Sequence, residues 1–407
     1  MKKWVIAILA VLVVVFSIFW WTADKDMRRL ILNMPTNTDV SFWSVAQRDA
    51  AFRMMDRMPI LVKSRVIPAA KKPYPLPKGS SLDVGMDIDA YMNDQRAAAL
   101  IIIHNGKVRL EKYGLDFAPG KRWTSFSVAK SFTSVLLGAA IKDGYIRSVD
   151  DMVSAYIPDL KGSVYDDVSI KQLLSMTSGV QWNEDYGDPK SDVNMFNAHK
   201  AESGVDVTVS YMRQLKRAAP SGTKWLYNTG ETNLIGVLVS SAINKSLSEY
   251  LSEKIWQPFG MEQDASWLLG ATEHEISGCC IQASIHDFAR FGLFMLAGGV
   301  IDGKSIFPDG WIAEATIMDP EKAKQHIKNN TASYGPYGYA YQWWTLNDTA
   351  YLGRGIFGQG IFIDPKRKLV IASNGNWPYP TDYQGGHQDK KRLAFYKQVQ
   401  LAIDKER

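Results

Sequence analysis

The sequence predicts a mixed α/β fold of the α+β kind: an antiparallel sheet flanked by helices, with a mostly helical lobe inserted between its strands. Three observations lead to it. Hairpin patterns occur at Ala97–Tyr113 and again at Gly360–Ala372, far apart in the chain. The segments between them carry mainly helical periodicity and loops. No repeat or low-complexity tract interrupts them. Strands contributed from both ends around a helical middle imply one sheet closed by the two termini, with a cleft between sheet and lobe as the natural place for a pocket.

Taken in order, the chain begins Met1-Lys2-Lys3 and runs on through an uncharged apolar stretch, Trp4–Trp21, before Asp24, Lys25 and Asp26. That length is at the lower limit for a helix crossing a bilayer core. A cleaved signal would have a shorter apolar region and small residues before the cut. Phe19-Trp20-Trp21-Thr22-Ala23 is bulky there, which favours an uncleaved anchor over a cleaved, secreted form. The paired lysines place the N-terminus in the cytoplasm and the rest outside, on the periplasmic face, with Trp20 and Trp21 at the interface. Residues 1–23 are therefore read as a single-pass membrane anchor and 24–90 as an extension. That extension combines a helical stretch, Ser41–Met58, with an extended connection, Ile67–Gly79. Residues 91–405 form the main domain. Within it, Asn105-Gly106 between two strand patterns is a strong hairpin signal. Phe132–Ile141 and Lys390–Lys405 have helical periodicity.

Composition narrows the function classes. The 407 residues are 46% hydrophobic and 22% charged, with a net charge of +5, as in a globular protein and without the basic stripe of a nucleic-acid binder. Thirteen Trp and 18 Tyr suit either a core or a pocket for an organic substrate. The two cysteines, Cys279 and Cys280, are neighbours, and adjacent residues hardly form an unstrained disulfide. They read as buried thiols; a catalytic cysteine would need His286 as partner. None of the six His has a second His at ligand spacing, and no glycine-rich phosphate loop follows a strand. Neither a metal nor a nucleotide cofactor is expected.

Ser127-Val128-Ala129-Lys130 opens the apolar run Phe132–Ile141. A serine at a helix start meets free backbone N–H groups and a favourable dipole, and a residue three further on shares its face. Lys130 is then placed to take the Ser127 proton, provided burial lowers its pKa. Ser221-Gly222-Thr223-Lys224 has the same spacing but follows Pro220 in a loop and is set aside. Tyr227, in Trp225-Leu226-Tyr227-Asn228-Thr229-Gly230, supplies a hydroxyl that a nearby lysine ammonium would help to ionise and that can relay protons.

These segments resemble the serine β-lactamase and penicillin-binding-protein superfamily, and within it class C β-lactamases, family VIII esterases and above all 6-aminohexanoate-dimer (nylon-oligomer) hydrolases. The resemblance spans about Ala97–Trp377. It takes in Ser127–Gly138, Ile170–Tyr186, Tyr227–Gly236, Tyr337–Trp344 and Gly355–Gln359. It implies a β-lactamase/transpeptidase-like fold, Ser127 as acyl-accepting nucleophile, Lys130 as base and Tyr227 as proton donor to the leaving group. The backbone N–H groups of Ser127 and Ile356 would form the oxyanion hole. Tyr186, Trp343, Trp344, Arg354 and Gln359 are the substrate-binding candidates. Two departures stand out. Thr229 occupies a position usually Asn in class C β-lactamases, and Gly353-Arg354-Gly355 stands where a Lys-Thr-Gly triplet is usual. Without that lysine, efficient β-lactam hydrolysis is disfavoured, and a small amide or ester becomes the expected substrate. A D-amino-acid peptidase or β-lactamase of the cell envelope is the alternative. Arg354 could replace the missing charge, although a solvent-facing position is its default.

Overall fold

The computed structural model describes residues 2–58, 62–318, 338–346 and 349–406; Tyr337 of the motif segments lies outside them. The strands are β1 (Lys63–Ile67), β2 (Ala97–His104), β3 (Lys107–Tyr113), β4 (Arg122–Thr124), β5 (Ala265–Leu269), β6 (Ile281–Ser284), a small hairpin of β7 (Val300–Ile301) and β8 (Lys304–Ser305), β9 (Gly338–Tyr339), β10 (Trp344–Thr345), β11 (Tyr351–Gly355), β12 (Gln359–Asp364) and β13 (Leu369–Gly375). The main sheet has the order β3-β2-β13-β12-β11-β10-β9. All its neighbours are antiparallel, with Ile102 opposite Ile371 and Phe362 opposite Ile371 on the other side. Both hairpins expected from the sequence are present. Asn105 and Gly106 both take positive φ, 50° and 72°, as a tight two-residue hairpin turn requires.

The near-continuous apolar run of β2 has a physical cause: helices cover both faces of the sheet. Leu100, Ile102, Phe362 and Ile371 pack with Phe395, Val399 and Ile403 of the C-terminal helix Gln388–Lys405. Their sequence neighbours Ile101, Ile103, Ile361 and Val370 face the opposite way. There they join a core that includes Val135 of the helix Ala129–Lys142 and Phe288 and Phe291 of the helix Ile285–Leu296. Each such side chain, fully buried, contributes roughly 1.5–3 kcal/mol of transfer free energy.

A second sheet, β1-β5-β6-β4, was not foreseen. Its strands are short, and β4 pairs with β6 across about 160 residues of chain. The expected helix Ser41–Met58 is also corrected. Ser44 caps a fresh start, with a reciprocal bond to Gln47, so the helix covers only Val45–Ala51 between two short 3-10 turns. Phe52, Met55 and Met58 then turn into the same core as the main domain. Upstream, the helix Lys2–Thr22 exposes its apolar side chains along most of its length. It is one helix long and apolar enough to cross a membrane, among the described residues. The next helix, Lys25–Leu32, docks on the body through buried Leu30 and an Asp26–Arg53 ion pair of 3.0 Å.

The spacing between the helix Ile285–Leu296 and the sheet is set by Gly292, where a Cβ would lie 2.5 Å from Val370 Cγ1. In an exposed helix, Gly→Ala stabilises by about 1 kcal/mol. Gly292→Ala is expected instead to destabilise the fold by on the order of 1–3 kcal/mol through overpacking. Chemical denaturation reads the sign directly, and a gain in stability would show that the helix has room to withdraw from the sheet.

Candidate active site

Ser127 lies in the 3-10 turn Phe126–Val128, which runs directly into the helix Ala129–Lys142. Phe126 takes φ 42°, an unusual value for a residue with a side chain, so the turn must be held from outside. β6 does this: Ser125 N–H donates to Ile281 O (2.8 Å) and Ile281 N–H donates to Ser125 Oγ (2.9 Å). β11 closes on the other side. A Cβ on Gly355 would meet Ser125 O at 2.5 Å and one on Gly353 would meet Ser131 Oγ at 3.1 Å. The small residues of Gly353-Arg354-Gly355 thus let the strand approach the serine turn.

Lys130 is fully buried and donates from Nζ to Ser127 Oγ (3.0 Å) and Gly278 O (2.8 Å). Gly278 is itself held by its N–H donating to Asn233 Oδ1 at 2.7 Å. Burial pushes the Lys130 ammonium down to about 8, and the charge of Glu184 acts weakly in the opposite direction. Tyr227 is also buried, with its ring centroid 5.3 Å from Lys130 Nζ and stacked on Trp344 at 5.4 Å. Its hydroxyl is pushed up, not down. Burial is the main cause and Glu184 adds to it, against smaller opposing effects of the Ser127 hydrogen bond and Arg354. The expectation that Tyr227 ionises readily is therefore corrected: desolvation outweighs the neighbouring cation, and the phenol is neutral.

Glu184 was missed from the sequence, although its segment Trp182-Asn183-Glu184-Asp185-Tyr186 was noticed. The carboxylate is buried. It accepts from Tyr186 Oη (2.7 Å), Thr229 N–H (3.0 Å), Thr229 Oγ1 and Trp182 Nε1. Four donors match the acceptor capacity of a carboxylate. Thr229, the departure noted above, is thereby explained as a double donor to Glu184.

The other candidates divide. Tyr186, Trp344, Arg354 and Ile356 line a small cavity with Ser127 and Tyr227. Ser127, Tyr186 and Ile356 also border a second, larger cavity. Arg354 does not face solvent as its default reading had it. It is buried, bonded to Asp389 at 2.6 Å, and lies over the Trp344 ring at 4.9 Å. Trp343 is not a pocket wall. It is fully buried and packs on Phe291 and Tyr351, because neighbouring residues face opposite ways and Trp344 takes the site side. Gln359 lines neither of these two cavities. Its amide bridges Ile356 O, Gly375 O and Gly375 N, joining the Ile356 turn and β12 to β13. Ser221 donates to Gln172 Oε1 and Lys224 is exposed, so that pair forms no site.

The expectation of two separate thiols is corrected as well. Cys279 and Cys280 are bonded to each other, with Cys280 at φ 86°. The link joins neighbours and so closes no loop of chain. His286 bonds to Glu111 at 2.9 Å and not to a cysteine. Among the described residues, no cluster of His, Cys, Asp and Glu suited to a metal ion occurs.

A β-lactamase family profile matches residues 87–394. The 6-aminohexanoate-dimer hydrolase of Paenarthrobacter ureafaciens is 28% identical over 301 residues, 72% of this chain and 76% of the relative. A solved Bacillus anthracis protein, provisionally named a 6-aminohexanoate-dimer hydrolase, superposes with a TM-score of 0.72 at 21% identity, covering 87% of this chain and 94% of the other. A family VIII carboxylesterase superposes at 0.58 and 17% identity, over 80% of this chain and 99% of the other. The two structures share the fold; the profile, which spans well over half of the sequence, shows that this chain belongs to the β-lactamase family of serine hydrolases.

Proposed function

We propose that this enzyme hydrolyses small carboxylic amides or esters through an acyl-enzyme on Ser127. The observation that carries the reading is the 3.0 Å contact between Lys130 Nζ and Ser127 Oγ, in surroundings that hold the lysine at about 8. Neutral Lys130 takes the hydroxyl proton as Ser127 Oγ bonds to the substrate carbonyl carbon. The carbonyl oxygen becomes an oxyanion facing the backbone N–H groups of Ser127 and Ile356, where each donor is worth roughly 3 kcal/mol. Tyr227, a neutral phenol, gives its proton to the departing nitrogen or oxygen and regains one from Lys130. Water then attacks the acyl-enzyme, its proton passes to the same pair, and the acid leaves Ser127 free. Tyr186 and Trp344 border the reacting groups. Amide and ester substrates are supported by the names of the relatives, a dimer hydrolase and a carboxylesterase. β-Lactams are disfavoured because Arg354, the cation in place of the usual lysine, is already paired with Asp389. We further propose that the helix Lys2–Thr22 is an uncleaved anchor that holds the enzyme on the extracytoplasmic side.

With p-nitrophenyl acetate, a linear amide dimer and nitrocefin tested side by side on the full-length chain, ester or amide turnover without nitrocefin hydrolysis is expected. Ser127→Ala should lower that turnover by at least a thousandfold with the fold intact by circular dichroism, and full activity in the variant would remove Ser127 from the mechanism. The base must be neutral to act, so kcat/KM should rise with pH by about one log unit per pH unit below 8 and level off above. Glu184→Gln removes the charge that raises Lys130 and should move the midpoint downward; a pH-independent wild-type profile would exclude Lys130 as the base. In a bacterial host, the chain should stay in the membrane pellet after alkaline wash and be digested by protease added to spheroplasts. A soluble product lacking residues 1–23 would make the helix a cleaved signal.

A further inference from the structure

A cavity of about 510 Å3 opens on one side of Ser127, bounded there by Phe126 and Ile356. Its size is that of a site for a whole organic group, whereas the cavity on the Tyr227 side is about 30 Å3. One wall comes from the N-terminal extension: Val40, Trp43, Met55, Met58 and Val62. These residues precede the part of the chain that matches the family profile, residues 87–394. The facing wall is apolar too, with Phe196, Leu268 and Ile276. Among the described lining residues the single charged one is Lys63, which is exposed and paired with Glu273 at 2.7 Å. No described lining residue is acidic, so no carboxylate lines the cavity to pair with the ammonium end of an aminoacyl chain.

We propose that this cavity is an acyl-chain site, and that the enzyme acts on esters or amides whose acyl part is an unbranched apolar chain of medium length. The inference rests on the Ser127 acyl-enzyme reading and on Tyr227 as donor to the leaving group. Tyr227, Trp344 and Arg354 border the small cavity and not the large one. The leaving group therefore goes to their side, and the acyl chain goes to the apolar side. The extension sets how long a chain is accepted.

The test uses the full-length chain in lipid nanodiscs with p-nitrophenyl acetate, butyrate, octanoate and decanoate, and with octyl acetate. Wild-type kcat/KM should climb by up to about fourfold per added methylene, the value of burying one CH2, until the cavity is filled. Two variants shorten the cavity from opposite walls at half-buried positions, Val40→Trp and Leu269→Trp. Each should lower the octanoate-to-acetate ratio at least tenfold relative to wild type, a comparison in which partition of the ester into lipid cancels. Unchanged chain-length profiles in both variants would overturn the proposal. So would a gain for octyl acetate over p-nitrophenyl acetate as large as that for octanoate, since the chain would then lie on the leaving-group side. Acetate hydrolysis that survives Ser127→Ala would sink the acyl-enzyme reading itself. Ser127-dependent acetate hydrolysis with no chain-length gain would sink the cavity assignment alone.

Discussion

Removing an ammonium group from water costs several kcal/mol unless fixed acceptors take the place of the solvent, and Lys130 has two, Ser127 Oγ and Gly278 O. The lowering from 10.5 to about 8 corresponds to roughly 3 kcal/mol of lost preference for the charged form. Much of the surrounding architecture serves to keep that burial intact. Asn233 holds Gly278 in place from the helix Thr229–Ile243. Thr133, one turn beyond Lys130, donates to Ser277 O at 2.8 Å and fixes the same turn from the other helix. Gly353 and Gly355 let β11 close over the serine turn. A larger residue at any of these contacts would admit water or displace an acceptor, and the lysine would return toward its ordinary basicity.

Glu184 complicates this balance in a useful way. Its negative charge favours protonated Lys130 and opposes an ionised Tyr227. Both effects hold protons on the pair: the tyrosine stays a phenol, while burial, working against Glu184, brings the lysine down to about 8. In the proposed mechanism Tyr227 then acts as a hydroxyl that gives one proton while taking another, with no phenolate at rest. The carboxylate can be tolerated beside the site because Trp182, Tyr186 and both polar groups of Thr229 satisfy it.

Periodicity made the large elements legible. The hairpins β2–β3 and β12–β13 and the helices Ala129–Lys142 and Gln388–Lys405 are long enough for their apolar spacing to decide the matter. The short strands β4 and β6 were not legible, because three or four residues carry no period and their partners are remote in sequence. The three proposed reacting residues could be named from the sequence, since Ser127 and Lys130 lie one turn apart and Tyr227 sits in a recognisable segment. The supporting residues were not. Trp343 and Trp344 are indistinguishable in sequence until one of them is known to face the core. Arg354 reads as a surface cation until Asp389, on the last helix, is seen beside it. Glu184 takes its meaning from donors in two separate segments, none of which marks it as special by composition.

The extension before the family-matching region bears on the reacting centre as well as on the cavity. Ser127 and Ile356, the two proposed oxyanion donors, are each next to a phenylalanine with positive φ: Phe126 at 42° and Phe357 at 60°. Such conformations cost of order 1–3 kcal/mol each and persist only where packing over-determines them. Beside the β6 and β11 contacts, part of that packing comes from the extension. Phe52 lies 4.8 Å from the Phe126 ring and 5.5 Å from the Phe357 ring. Arg48 lies over Phe357 at 4.4 Å while its guanidinium bonds to Asn376 and to the Trp377 and Pro378 carbonyls. One short helix and the turn after it thus brace both halves of the oxyanion site and lead into the wall of the apolar cavity. The shape of the proposed acyl pocket and maintenance of the catalytic geometry are consequently coupled. A change in the extension that reshapes the pocket at Met55 or Met58 acts a few residues from Phe52, and any shift of that ring reaches Ser127 and Ile356 together.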